Sequence, residues 1–388
     1  MLYLFEGLKR LVRHRKQQID NAIFRLHWQL TSMLLMACCL VITSRQYVGD
    51  SIDCLQKDDM PVSTLNTYCW THATFTVPAA FEKRVGSEVA HLGIDNSRHE
   101  ERDKKYYPYY QWVCFSLFLQ AILFYLPYYL WKQWENGFLR HVSLGMQFAI
   151  LSEEDRAYKK TLMLDYLYEH LGCHRWYALK YFFCEFLALI NVLLQVEFMD
   201  WFLDGEFLTF GYRVLRYLRL PRDAPDSSVT PPPPPPVNPM AFVFPSIAKC
   251  TFRKYGYSGD VESFDALCLL PLNVFHEKIY LVLWFWFLLL ALLSSFIVAY
   301  RLVLLLLPGL RANFLLTRCT FCARRDLRLI CARGNVGDWF LLYMLAHNLD
   351  PLLMHDLTSE LAQRLQRDSS KAVVPSIPSI PDERIRMV

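Results

Sequence analysis

Charge is scarce in this 388-residue chain. Asp, Glu, Lys and Arg make up 20% of it, against 54% hydrophobic residues. Soluble domains carry about a quarter charged residues. Catalytic motifs are missing as well. No Walker A loop, G-x-S-x-G, H-E-x-x-H, EF-hand loop or dinucleotide fingerprint occurs. Glu185 and Glu197 are the nearest thing to an acid–base pair, but twelve helical positions separate them, about 18 Å of rise and too far to act together. No enzyme, catalytic residue, metal site or cofactor is therefore expected. A cleavable signal peptide is not visible either. The first 25 residues are basic, and the apolar run after them continues too far. No N-x-[ST] sequon occurs in residues 45–109 or 203–278, so no N-glycan is expected to cover those segments. Aromatics at 15% exclude a chain that is mostly disordered.

What is present is concentrated into uncharged stretches. No Asp, Glu, Lys or Arg falls between Arg25 and Arg45, from Tyr106 to Trp131, or from Ile279 to Tyr300. Each stretch supplies the ~20 residues with which a helix crosses a ~30 Å hydrocarbon layer. A helix is the expected form because its backbone polar groups pair within the segment. A fourth candidate, Phe182 to Phe202, carries Glu185 near one end and Glu197 and Asp200 near the other. Ala188, Asn191, Gln195 and Met199 recur on it at helical spacing, a small-or-polar stripe suited to burial among other helices.

Four spans place both termini on one side. Residues 1–25 carry net +4, residues 45–109 net −2 and residues 301–388 net +4. Excess Lys and Arg beside spans marks the cytoplasmic side. Both termini are thus expected in the cytosol, with 45–109 and 203–278 outside and 132–181 inside. Of the twelve cysteines, Cys54 and Cys69 fall in the first outer segment and Cys250 and Cys268 in the second. Disulfides persist outside the cell, and four cysteines allow three connectivities among which spacing does not choose. Cys38, Cys39 and Cys114 read as small packing residues. Cys319, Cys322 and Cys331 suggest zinc or palmitoylation, but ordinary reduced thiols fit best because a full ligand set is lacking. His170, Cys173 and His174 are expected on one helical face, again short of a metal set.

Several local features carry expectations of their own. Tyr106 to Val113 is an aromatic cluster at the outer end of the second span, where a membrane belt is the plain explanation. Pro127 is expected to interrupt that span and bend it, either as a static kink or as a gating hinge. The run Pro231–Pro236 is expected to form a stiff polyproline II insert. Arg301 is expected at the inner headgroups, snorkelling if needed, with the Leu-rich turn after it packing on cytoplasmic helices. Ala372 to Val388 reads as a flexible tail.

These residues carry a resemblance. Tyr109-Tyr110-Gln111-Trp112-Val113 is similar to the signature that opens the second span of the innexins, the gap-junction proteins of invertebrates, and Pro127 matches their proline. Thr43-Ser44-Arg45-Gln46-Tyr47-Val48-Gly49-Asp50 with Ile52-Asp53-Cys54 resembles the family's exit from the first span. Tyr68-Cys69-Trp70, Pro239-Met240, Phe244-Pro245, Lys249-Cys250-Thr251-Phe252, Asp265-Ala266-Leu267-Cys268, Leu270-Pro271-Leu272-Asn273 and Glu277-Lys278-Ile279-Tyr280 resemble its outer loops. The likeness covers residue 1 to about 345; the proline run departs from it.

The resemblance implies an all-α integral membrane protein, a four-transmembrane-helix bundle of connexin/innexin type with disulfide-braced extracellular loops and a helical cytoplasmic region. Its parts would be a cytoplasmic N-terminal helix and linker (1–25), spans at 26–44, 110–131, 182–202 and 279–307, outer loops at 45–109 and 203–278, an inner loop at 132–181 and a C-terminal region at 308–388. It implies nested bridges, Cys54 with Cys268 and Cys69 with Cys250. Met1, Leu2, Tyr3, Phe5 and Glu6 would form the pore constriction, and Asp50 and Asp53 would lie at the outer mouth. Partners would be other innexin subunits, the same or different, in an octamer, a docking hemichannel of the adjacent cell, and membrane lipid, with no nucleic acid. The place would be a gap junction of the plasma membrane, passing ions and small metabolites. A pannexin-like hemichannel that never docks and a tetraspan adhesion or scaffold protein without a pore are the rival readings.

Overall fold

The computed structural model describes residues 17–55, 61–96, 103–143, 152–220, 236–319 and 321–373, without the side chains of 369–373. Its longer helices in chain order are α1 (Ala22–Val48), α2 (Val62–His72), α3 (Val113–Glu135), α4 (Glu153–Glu169), α5 (Arg175–Phe202) and α6 (Phe207–Leu218). They continue with α7 (Pro271–Leu306), α8 (Arg324–Arg333), α9 (Val336–Asn348) and α10 (Pro351–Val373). Helices α1, α3, α5 and α7 are long and apolar enough to cross a membrane. The fold is thus mostly helical with four candidate spans, as expected. Three of these helices, α1, α5 and α7, are longer than the spans read from the sequence. Helix α5 begins at Arg175 rather than 182, and α7 at Pro271 rather than 279. Charge bounds the part that can lie in hydrocarbon, but the hydrogen-bond ladder continues wherever the backbone stays helical.

Two compact units divide the described chain. The first takes residues 22–127 and 186–295; the second takes 17–21, 128–185 and 296–373. In the first unit the buried stripe of α3 is Val113, Leu117, Ala121 and Phe124, and that of α7 is Tyr280, Leu283, Phe287 and Leu290. Both repeat at three- and four-residue steps, one face of a helix. The stripe on α5 behaves likewise: Ala188, Gln195 and Met199 are buried and Asn191 is half-buried. The opposite faces expose Phe115, Leu119, Ile122, Leu193, Leu194, Leu292 and Phe296, apolar side chains suited to lipid rather than water. Helix α1 contains a π-helical turn at Leu26–Thr31, in which the Thr31 hydroxyl donates back to the Leu26 carbonyl. That turn directs Thr31 toward α7, where it accepts from Trp286 Nε1 at 2.8 Å.

The first unit also holds a sheet that the sequence reading did not place. Strands β1 (Asp53–Leu55), β2 (Thr74–Thr76), β3 (Lys105–Tyr107), β4 (Ile247–Tyr255) and β5 (Val261–Leu269) pair antiparallel in the order β1-β5-β4-β2-β3. Strands β4 and β5 form a hairpin around Gly256–Asp260, with Gly259 at positive φ. Helix α6 packs against α7 so closely that a Cβ on Gly211 would stand 2.2 Å from the Trp284 ring.

Several residues depart from expectation, most of them in the second unit. Pro127 lies inside α3, which continues on both sides of it; a proline removes one ladder bond, and the rest of the helix remains paired. Arg301 is 4% exposed rather than snorkelling. Its guanidinium donates to both carboxylate oxygens of Glu185, at 2.8 and 3.0 Å. His170, Cys173 and His174 do not share a helical face, because α4 ends at Glu169 and α5 starts at Arg175. His174 instead meets Asp338 Oδ1 at 2.7 Å and the Tyr166 hydroxyl at 3.0 Å. Asp338 also accepts from Gly172 N and caps α9 together with Asn335. The contact leaves no room at Gly337, where a Cβ would lie 2.1 Å from the His174 carbonyl. At the Leu-rich end of α7 Leu304 is fully buried, and Arg311 donates to its carbonyl at 3.0 Å, whereas Leu302, Leu306 and Leu307 are exposed.

Candidate functional site

The cysteines organise the first unit's sheet. Cys54 on β1 bonds Cys268 on β5, and Cys69 on α2 bonds Cys250 on β4, the nested order. Cys54 and Cys268 are register partners in the β1–β5 ladder, and Cys250 stands opposite Ala266 in β4–β5. The sulfurs of Cys54, Cys69 and Cys268 lie within 4.8 Å of one another. Among the described residues this is the one cluster with metal-ligand spacing, and its sulfurs are spent in disulfides. Ile52, Leu65, Ala248, Ala266 and Leu270 pack around the bridges as a small core of their own. Asn66 fixes the first bridge locally, its side chain accepting from Cys54 N at 2.9 Å. The two outer segments, 181 and 214 residues apart at the bridges, are thereby knit into one body.

The aromatic signature joins that body to the second span. The Tyr109 hydroxyl donates to the Val243 carbonyl at 3.1 Å, Tyr110 to the Cys69 carbonyl at 2.8 Å, and Gln111 Nε2 to the Trp70 carbonyl. Tyr107, Tyr109, Tyr110 and Val113 are buried; Tyr106 and Trp112 are exposed. The membrane-belt expectation therefore fails for most of the cluster. The rings are fastened to loop carbonyls, which satisfies buried hydroxyls that the interface would otherwise have hydrated. Burial pushes the Tyr107 and Tyr110 phenols above their usual range. Close by, Glu206 accepts from Lys105 at 2.9 Å and from Arg213. Burial pushes this carboxyl up, but the two cations outweigh it and hold its pKa below the usual value.

Other residues singled out from the sequence fall in different places. Asp50 follows the end of α1 and Asp53 begins β1; both are exposed. Met1, Leu2, Tyr3, Phe5 and Glu6 lie outside the described residues, as does most of the proline run. Pro127 is inside α3. Cys319 and Cys322 are buried free thiols, and the Thr358 hydroxyl donates to the Cys322 sulfur at 3.3 Å. A thiol hydrogen bond from Cys319 lowers the Cys322 pKa. Cys39 and Cys114 approach to 3.6 Å between α1 and α3.

The sequence reading missed the β4–β5 hairpin, whose tip bears fully exposed Tyr257 with Tyr255 and Val261 also exposed. A signal was there: Gly256-Tyr257-Ser258-Gly259-Asp260 is a turn between two runs rich in aromatic and β-branched residues. It also missed the Glu185–Arg301 pair, because nothing in one dimension brings position 185 to position 301.

Comparison with known proteins agrees with this architecture. A family model described as Innexin matches residues 20–365. The chain is 46% identical to Innexin shaking-B of Drosophila melanogaster over 365 residues, 94% of this chain and 95% of that one. It is 43% identical to Innexin inx1 of Schistocerca americana over 370 residues, 95% and 99% of the two chains. It is 41% identical to Innexin inx2 of Drosophila melanogaster over 372 residues, 96% and 98% of the two chains.

Proposed function

The chain belongs to the innexin family, and from that premise we propose how its residues serve the channel. Membership makes it a multi-pass subunit of plasma-membrane gap-junction channels, oligomeric and not enzymatic. The observation that carries the reading at residue level is the sheet bound by Cys54–Cys268 and Cys69–Cys250. A channel that meets another across a gap needs loops that keep their shape in an oxidising space, and cross-links between loops supply that.

The orientation follows from charge and sulfur together. Residues 45–109 and 203–278 face outside and hold both bridges; the termini and 132–181 face the cytosol. The β4–β5 hairpin then lies outside the cell, and exposed Tyr255, Tyr257 and Val261 form a docking surface for a second copy in the adjacent cell. Aromatic anchors of this kind dominate protein contacts. Eight subunits ring the pore. Met1, Leu2, Tyr3, Phe5 and Glu6 form its constriction, and Asp50 and Asp53 raise the local cation concentration at the outer mouth. Pro127 provides the position at which α3 yields during gating, since one ladder bond is already missing there.

Dual voltage clamp of cell pairs expressing only this chain tests the reading. Junctional conductance is expected. Large-pore current in single cells without junctional current would favour the undocked hemichannel. Silence in both, with the chain at the surface and also after co-expression of a second innexin, would sink the pore.

A further inference from the structure

A groove of ≈ 1410 Å³ lies between the start of α3 and the end of α5 within the first unit. It exceeds the ~300–1,000 Å³ of an ordinary small-molecule pocket. Its apolar lining comes from Phe115 and Leu119 on α3 and from Phe198 and Trp201 on α5. Lys104 and Asp204, just outside the two helices, line it as well. From the first residue of α3 to Leu119 is six positions, about 9 Å of helix rise, so on α3 the groove occupies only the first turns of the candidate span. Trp112 and Trp201, 60% and 76% exposed, also line it, a residue type favoured where a span meets the headgroups.

Three of the four hydroxyl-bearing side chains that line this groove are spent inside the protein, and the fourth, Tyr106, is exposed. Tyr107 donates to the Phe242 carbonyl, Tyr109 to the Val243 carbonyl and Ser116 to the Val113 carbonyl. A polar ligand would find no deep partner, and trapped water would lack the two to four bonds it needs. A hydrocarbon chain would bury no unsatisfied group. Beside the apolar lining stand Asp103, Lys104, Lys105 and Asp204, of which Lys105 is already paired with Glu206, so the groove offers both signs of charge, as a zwitterionic headgroup does.

We propose that this groove holds a glycerophospholipid with a zwitterionic headgroup. An acyl chain lies along Phe115, Leu119 and Phe198; the phosphate faces Lys104 and the ammonium faces Asp204. The lipid comes from the outer leaflet if the orientation given above holds.

The test uses the purified oligomer in nanodiscs of phosphatidylcholine, with a trace of phosphatidylcholine carrying a diazirine on its acyl chain. Labelled peptides are mapped by mass spectrometry. Residues 115–119 and 198–202 are expected to take about tenfold more label than Leu292 and Phe296, the ratio given by ~1.4 kcal/mol of preference. Those two are comparably exposed on α7, at 63% and 69%. Leu119→Trp and, separately, Phe115→Trp should return the excess to the α7 level while the oligomer elutes unchanged. Even labelling of the two faces would overturn the site. So would cross-linking of Trp112→Cys to Trp201→Cys between copies in place of lipid label, since a neighbouring subunit would then fill the groove. Equal retention of a phosphatidylglycerol probe would overturn the headgroup assignment. Because the probe is present in both leaflets, labelling tests the groove independently of the orientation of the chain.

Discussion

Arg301 on α7 and Glu185 on α5 form a two-pronged ion pair, Nε to Oε2 at 2.8 Å and Nη2 to Oε1 at 3.0 Å, with both residues at or below 5% exposure. Asn21 Nδ2 donates to the same carboxylate, and Asn21 N donates to the Tyr181 hydroxyl at 2.9 Å. The rings of Phe182 and Tyr300 stand 5.0 and 5.5 Å from the guanidinium carbon. The pair therefore fastens the segment leading into the first span to two other helices. Removing one member leaves the other charge buried without its partner, which costs about 3–5 kcal/mol, whereas replacing both by apolar residues is often near neutral. Arg301→Leu and Glu185→Leu should each lower the melting temperature and surface yield of the oligomer sharply. The double Leu variant should recover most of the loss in a thermal-shift assay. A double variant as poor as the two singles added together would refute this account.

The two disulfides should differ in consequence. Cys54 and Cys268 are also joined by the β1–β5 ladder, whereas no ladder ties α2 to β4 beyond Cys69–Cys250. Losing a bridge of such long sequence separation costs about 2–5 kcal/mol. Cys69→Ser with Cys250→Ser should free α2 to proteolysis in the folded oligomer more than Cys54→Ser with Cys268→Ser does. Equal cleavage rates in limited proteolysis would show that the ladder contributes nothing.

Glu206 gives a pH dependence with a definite sign. Its carboxyl is lowered in the folded chain by Lys105 and Arg213, against the opposing effect of burial. A depressed acid stabilises the fold above its unfolded pKa, about 4.3 for Glu, and that contribution disappears as pH falls through the folded value. Thermal midpoints measured from pH 7 to pH 3 should fall more steeply for the wild type than for Glu206→Gln across this acid range. Parallel curves would remove Glu206 from the explanation.

Asp50 and Asp53 are exposed beyond the end of α1, so each can be neutralised without burying an orphan. Asp50→Asn and Asp53→Asn should assemble normally and shift the reversal potential toward weaker cation preference under a salt gradient. An unchanged reversal potential would place them away from the conduction path; lost assembly would assign them to packing.

Tyr257 is fully exposed at the hairpin tip, where a substitution disturbs no core contact. Tyr257→Asp should abolish junctional conductance while leaving surface expression and single-cell current intact. Retained coupling would move the docking contact elsewhere on the outer loops.

The sequence by itself determined the four spans, since the absence of charge over ~20 residues leaves a chain few alternatives in hydrocarbon. It also determined which cysteines could be oxidised, because charge bias assigns the sides, and its motifs named the family. Only the tertiary structure decided what holds those parts together. The aromatic run at 106–113 looks the same in one dimension whether its rings face lipid or backbone carbonyls, and for Tyr107, Tyr109 and Tyr110 the choice fell to the carbonyls of Phe242, Val243 and Cys69. Arg301 read as a snorkelling cation until Glu185, 116 residues away, stood opposite it. Periodicity and composition are local quantities, and they fix a segment's phase and environment. Which buried donor meets which acceptor is a matter of distance in space, and chain order does not carry that information.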